Sequence, residues 1–249
     1  VKNGSFAHSF TSLVQTVLKM KPRKMNQVQK RRGPDDDGIL LEKQYGFAHT
    51  RLAIIDLAGG IQPMQRTHNG HTCTIVYNGE LYNMPSLRVE LEQEGISFST
   101  HSDTEVILQG FLLHGPAFVE KMNGIFALAI WDDAKQSLYL FRDRLGVKPL
   151  FYMLLGDTLL FSSELKGILS HPDVTPCLAQ DGLCEILALG PAKSYGKGVF
   201  QDILEVLPGH FLHYQNGQLQ DICYWKLESN LHTESFEDTV EHTAWLIED

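Results

Sequence analysis

The run Thr72-Cys73-Thr74-Ile75-Val76-Tyr77-Asn78-Gly79-Glu80 sets the architecture. Its first six residues alternate, with β-branched and aromatic side chains well represented, and read as a strand over Thr72–Tyr77. Asn78-Gly79 is a turn pair and is expected to end that strand. Successive strand side chains point to opposite faces. Thr72, Thr74, Val76 and Asn78 therefore share one face, and Cys73 takes the other. Upstream, Tyr45–Ile55 is rich in aromatic and branched residues and reads as a second strand. Downstream, Glu80–Glu94 reads as a turn and a helix. Ser102-Asp103-Thr104-Glu105 has the form of a capping box, with Ser at the cap and Glu three residues later. Ile125–Trp131 and Ser137–Phe141 form a hairpin around Asp132-Asp133-Ala134-Lys135. Leu150–Leu155 and Thr158–Ser163 form another around Gly156-Asp157. A helix over Asp181–Leu189 stops at Gly190, and Asp202–Tyr214 and Gln218–Trp225 suggest a last pair of strands. Short strands joined by tight turns, without βαβ alternation, favour antiparallel sheets covered by helices, an α+β class.

The flanks are less regular. Residues 9–30 read as mostly helical, with Pro22 kinking or dividing the helix. Seven of the 21 bases lie between Lys19 and Arg32. With no interleaved aromatics for stacking, that run reads as a solvated face rather than a nucleic-acid patch. The net charge of −9 agrees. The chain of 249 residues is 43% apolar and 20% charged, ordinary values for a folded protein. Its apolar runs fall short of the ~20 residues of a membrane span. Four cysteines without a C-x-x-C pair, and no secretory signal, fit a reduced cytoplasmic protein. The chain begins with Val1 rather than Met. The amphipathic stretch Ser235–Asp249 runs to the last residue as a helix without a stop signal. The start implies a chain that is processed, excised or incomplete, and the helix that runs off the end suggests that the natural sequence continues.

Common catalytic signatures are missing. There is no G-x-x-x-x-G-K-[ST], no H-E-x-x-H and no G-x-S-x-G. The 11 histidines are scattered, and no metal is expected. What remains is a set of polar residues at strand ends and helix starts: Arg32-Gly33-Pro34-Asp35, Arg51 inside His49–Asp56, Asn78-Gly79-Glu80, and Asp103. Singly, each has an ordinary structural reading as a turn, a dipole partner or a half-exposed strand residue.

As a set they resemble the class II glutamine amidotransferase domain, of the N-terminal-nucleophile hydrolase type. Tyr77–Asn83 and Ser102–Glu105 carry that resemblance together with the Arg32 and Arg51 runs. Met122–Ala127, Arg142–Leu150 and Ser162–Lys166 narrow it to glutamine-hydrolysing asparagine synthetases of bacterial type, and Gly198–Phe200, Leu207–His210 and Tyr224-Trp225 extend it to the linker region. It runs in order from about Arg31 to the end. The resemblance implies an αββα four-layer sandwich of two antiparallel sheets. It implies an amidotransferase domain over 1–225, and over 226–249 a linker and first helix leading to a synthetase domain that this sequence lacks.

It also implies roles. Arg51 would bind the α-carboxylate of L-glutamine, since a planar guanidinium can donate two parallel bonds. Asp103 would pair with the α-ammonium, and Glu80 would help at the same end. Backbone groups of Ile54 and Ile55 would hold the substrate. The Asn78 side chain and the Gly79 N–H would form the oxyanion hole. No cofactor is expected in this chain; ATP and Mg belong to the absent synthetase domain, whose Ser-Gly-Gly-Leu-Asp-Ser-type loop does not occur here. The implied partners are L-glutamine and that domain, with a homodimer possible and neither nucleic acid nor membrane. Arg31 stands where many relatives have His.

The family's nucleophile is an N-terminal cysteine followed by glycine, with its own α-amine as base. Here residue 1 is Val and no cysteine precedes Cys73. Cys73 is expected on the wrong strand face, as a buried structural thiol. Two explanations follow: loss of a short Cys-Gly strand from the sequence, which the retained glutamine-binding residues favour, or evolution into a non-hydrolysing scaffold, as in β-lactam synthetases. A sugar-phosphate or purine-pathway amidotransferase is a further alternative.

Overall fold

The computed structural model describes residues 21–31, 33–34, 36–51, 60–189 and 194–248. Elements run α1 (Lys21–Gln27), β1 (Asp36–Leu41), β2 (Gly46–Arg51), β3 (Met64–His68), β4 (His71–Leu81), α2 (Met84–Gln93), α3 (Asp103–His114), a 3-10 turn (Gly115–Lys121), β5 (Gly124–Asp132) and β6 (Ser137–Arg142). There follow β7 (Phe151–Leu155), β8 (Thr158–Ser162), α4 (Leu165–Leu169), α5 (Gln180–Leu189), β9 (Leu204–Glu205), β10 (His210–Gln215), β11 (Gln218–Cys223) and α6 (Phe236–Glu248).

One six-stranded sheet has the order β11-β10-β6-β5-β4-β3; β1-β2 and β8-β7-β9 form smaller sheets, and every strand pair is antiparallel. The alternation of β4 explains the layering. Cys73, Ile75 and Tyr77 face a core shared with Leu87 and Leu91 of α2 and Val106, Leu108 and Phe111 of α3. Val76 faces a second core with Ala127, Ala129, Trp131 and Leu140 of the same sheet, Phe47 of β2, and Tyr152, Leu159 and Phe161 of β7 and β8. A third core joins Phe151 and Leu160 to Ile168 of α4. Helices, large sheet, small sheets and helices thus stack as an αββα sandwich. Each layer buries one apolar face, worth roughly 25 cal/mol per Å² removed from water.

Several boundaries differ from the sequence reading. Asn78-Gly79-Glu80 does not end β4; it lies within the strand, paired with Ala127, Phe126 and Ile125 of β5. Neighbouring strand pairing overrides the turn preference of Asn-Gly. Asp202–Tyr214 is not one strand but two, in different sheets: β9 pairs with β7, and β10 pairs with β6 and β11. Between them Pro208 has no N–H to donate, and Gly209 sits at φ +69° with Trp225 O only 2.2 Å from where a Cβ would stand. Pro22 lies in the first turn of α1, where its missing N–H costs nothing. Of the helix expected over 9–30, the part before Lys21 lies outside the described residues, as do Gly190 and Val1.

The Arg142–Leu150 motif is a structural hub. Arg142 is buried, 3.0 Å from Glu205, and donates to the carbonyls of Lys148, Val206 and Gly146. The buried Asp143 carboxylate accepts the N–H groups of Phe126, Leu145, Val147 and Lys148. Charged groups inside a core are tolerable because almost every donor and acceptor is met.

Candidate functional site

A cavity of about 1030 Å³ runs between the large and small sheets. One end is lined by Arg51, Asn78, Gly79, Glu80 and Asp103, the other by Trp131, Leu159 and Tyr214. Three elements deliver the polar end: the last residue of β2, the second half of β4, and the first turn of α3.

Arg51 is buried at the end of β2. The chain at Pro34 bridges to it in parallel, and a Cβ on Gly33 would stand 2.4 Å from Arg51 N. The glycine of the Arg32–Asp35 turn is thus required by close passage over β2. Arg32 and Asp35 themselves, like Ile54 and Ile55, lie outside the described residues.

Among the described residues, the second half of β4 has an open edge. β3 pairs only with His71–Ile75, so among the described residues Tyr77–Leu81 has a strand partner on one side alone. In an antiparallel ladder a residue's N–H and C=O point to the same side, and alternate residues point to opposite sides. Thr72 O accepts from Asp133 and Tyr82 N–H donates to Asn123 O, so even-numbered residues face β5. Phe126, opposite Gly79, has both its backbone groups committed to Asp143. The Tyr77 N–H points the other way and donates to Gln62 Oε1 at 2.6 Å. The Gly79 N–H therefore faces the open edge. The glycine itself is required by the neighbouring strand: a Cβ would lie 2.2 Å from Ile125 O, against β5. Asn78 projects from the opposite face to Tyr77, toward the small sheets.

Asp103 opens α3. Ser102 is the N-cap, its Oγ accepting from Thr104 N–H. Asp103 Oδ1 also accepts from Thr104 N–H at 2.8 Å, and Oδ2 accepts from Tyr77 O–H at 2.9 Å. Burial raises the Asp103 pKa, against these hydrogen bonds. The expected capping box is only half formed. Glu105 does not reach back to Ser102; it accepts the N–H and hydroxyl groups of Ser99 and Thr100 and pairs with Arg66 at 2.7 Å. Burial pushes the Glu105 pKa up, and the Arg66 pair and the bonds from Thr100 and Ser99 outweigh it, leaving about 2.

Three neighbours escaped the sequence reading. Tyr77 donates to Asp103, and Gln62 bridges Tyr77 N–H and Thr104 Oγ1. His49 lines the cavity two residues before Arg51, and burial, with Arg51 adding to it, brings its pKa down to about 4. Period-two alternation through Phe47, His49 and Arg51 was the available signal for His49. Gln62 left no such pattern.

Cys73 is fully buried in the core under α2 and α3, on the opposite face of β4, and burial with the nearby Asp132 and Asp133 pushes its thiol up to about 12. Cys177, Cys184 and Cys223 are exposed, and no cysteine lines the cavity among the described residues.

Residues 10–225 match the family model described as a glutamine amidotransferase domain. The chain is 45% identical over 226 residues to asparagine synthetase [glutamine-hydrolyzing] 3 of Bacillus subtilis, covering 91% of this chain and 37% of that protein. It is 36% identical to asparagine synthetase B [glutamine-hydrolyzing] of Escherichia coli over 180 residues, 72% of this chain and 30% of that protein. The chain thus spans about a third of the length of these relatives. The glutamine phosphoribosylpyrophosphate amidotransferase of B. subtilis shares the fold, with a TM-score of 0.51 at 22% identity over 72% of this chain and 35% of that one. The chain belongs to the glutamine amidotransferase domain family.

Proposed function

We propose that this chain is the glutamine-binding module of an asparagine synthetase, and that its cavity holds L-glutamine with the side-chain amide at Asn78 and Gly79. The observation that carries the reading is the convergence of Arg51, Asn78, Gly79, Glu80 and Asp103, from three separate elements, on one end of one cavity. A guanidinium and a carboxylate suit the two charged ends of an amino acid. An outward-facing backbone N–H beside an amide side chain suits the oxygen that becomes negative when an amide is attacked. Ile54 and Ile55 belong to the same proposal.

Hydrolysis needs a nucleophile at the amide carbon, and no cysteine lines this cavity among the described residues. We therefore assign to these 249 residues binding without turnover. In a protein that adds a cysteine there, ammonia released from glutamine would pass to a synthetase domain that amidates aspartate at the expense of ATP. The same observation favours a second reading, a scaffold that packs against a synthetase and never hydrolyses. Mass spectrometry of the protein from its native source separates them. An N-terminal cysteine supports the glutaminase, and a mature start without one supports the scaffold.

The binding claim is tested by titration calorimetry with L-glutamine, L-glutamate, L-asparagine and D-glutamine. L-Glutamine binds preferentially, and Arg51→Ala and Asp103→Asn each weaken it, Arg51→Ala by about 2–5 kcal/mol as for a truncated buried charge contact. Unchanged glutamine affinity in Arg51→Ala would overturn the assignment.

A further inference from the structure

At the far end of β4 from Gly79, about 20–26 Å away at ~3.3 Å per residue, three potential metal ligands meet. His71 and Cys73 are two apart on one face of β4, and Cys73 lies opposite Asp132 in the β4–β5 ladder. His71 Nε2 is 2.7 Å from Asp132 Oδ1 and 3.5 Å from Cys73 Sγ. The three ligand atoms all lie within 4.8 Å of one another.

Part of this arrangement has a plain explanation. Asp132 Oδ1 accepts the Lys135 N–H and so braces the β5–β6 turn. That leaves the other oxygen unexplained. Asp132 is fully buried, yet Oδ2 makes no hydrogen bond; only the half-exposed Lys135 ammonium approaches it, at 3.5 Å. Ser137, opposite Asp132 in the β5–β6 ladder, also has a buried hydroxyl oxygen without a partner. Buried oxygens without a hydrogen bond are costly, and two facing residues that both carry one favour a further polar contact at this corner.

We propose that His71, Cys73 and Asp132 form a binding site for a divalent ion of the zinc class, clipping the β3–β4 hairpin to the β5–β6 turn. One nitrogen, one sulfur and one carboxylate oxygen are a donor set that borderline-soft ions favour over magnesium or calcium. The 3.5 Å between His71 Nε2 and Cys73 Sγ is close to the separation of two ligands held about 2.0–2.3 Å from a tetrahedral ion. Asp132 supplies the third contact through a carboxylate oxygen. The side chain of His71 is 27% exposed, which leaves a path for the ion and for a water as fourth ligand. On binding, the thiol proton of Cys73 leaves to solvent, and the His71 proton shifts from Nε2 to Nδ1. The site lies on the face of β4 away from the cavity, so its role is structural.

The test uses the full chain with the three exposed cysteines changed (Cys177→Ser, Cys184→Ser, Cys223→Ser), so that Cys73 is the single thiol. Titration with Co²⁺ is expected to saturate at one equivalent with a thiolate-to-cobalt absorption band that Zn²⁺ abolishes. His71→Gln, at a partly exposed position, is expected to stay folded by circular dichroism and to weaken Co²⁺ binding by more than about tenfold. Asp132→Asn is expected to do the same. Absence of the thiolate band overturns the proposal, as does a band or affinity unchanged in His71→Gln, which would place the ion on other histidines as an adventitious contact only.

Discussion

Glu105→Gln is expected to destabilise the fold and to do so only where the carboxylate is charged. The carboxylate is fully buried and is held by Arg66, Ser99 and Thr100. Its pKa falls from 4.5 to about 2 in the folded chain. Converted at about 1.4 kcal/mol per pH unit, the difference contributes about 3 kcal/mol. The sign follows from the depressed value: the contribution is complete above the unfolded pKa near 4.5 and is lost as pH falls toward about 2. The amide of Gln presents an NH₂ to a site that holds only donors, so the loss at pH 7 should reach the same size. Urea unfolding of both proteins between pH 7 and pH 2.5 measures it. The gap between them is about 3 kcal/mol at neutral pH and narrows below pH 4.5. A gap under about 1 kcal/mol, or one that does not change with pH, would show that the ring of donors is not what holds the 99–102 turn and the start of α3.

Four further outcomes are expected. Gly79→Ala places a Cβ 2.2 Å from Ile125 O; it should lower the thermal midpoint sharply and reduce soluble yield. In any form of the protein that turns over glutamine, Asn78→Ala should cost about 3 kcal/mol in kcat/KM and change glutamine affinity little, and equal losses in both would count against an oxyanion role. His49, with its pKa near 4, should stay neutral through pH 5 in an NMR titration, well below the usual histidine value of about 6.5. Helix α6 buries none of its residues, with Phe236 and Ile247 each 79% exposed; light scattering should show self-association that Trp245→Ser and Ile247→Ser reduce.

The layers were legible because β4, β5 and β6 carry clean runs of branched and aromatic residues, and because Gly156-Asp157 and the 132–135 turn punctuate them. The split of Asp202–Tyr214 between two sheets was not, since periodicity says nothing about which partner a strand chooses. Arg51, Asn78, Glu80 and Asp103 were legible only as a set. Nothing local distinguishes Asn78-Gly79 as a turn from Asn78-Gly79 as a strand interior; pairing with Ile125–Ala127 decides it. Gln62 and Tyr77 were hidden because their roles depend on contacts across 15 and 26 positions. The ligands His71 and Asp132 are 61 apart and show no spacing motif at all.

The short length of β3 has a lasting consequence. A single strand, β4, is split into a load-carrying half and a presenting half by nothing more than where its neighbour stops. In the β3–β4 register Gln62 falls opposite Tyr77 and Gly60 opposite Gly79, so β3 would have to run four residues past Met64 to cover the Gly79 N–H and seal the recess. Substitutions around Gln62 should therefore govern access to the recess more strongly than changes at the far tip, His68–His71, where the hairpin can vary without touching it.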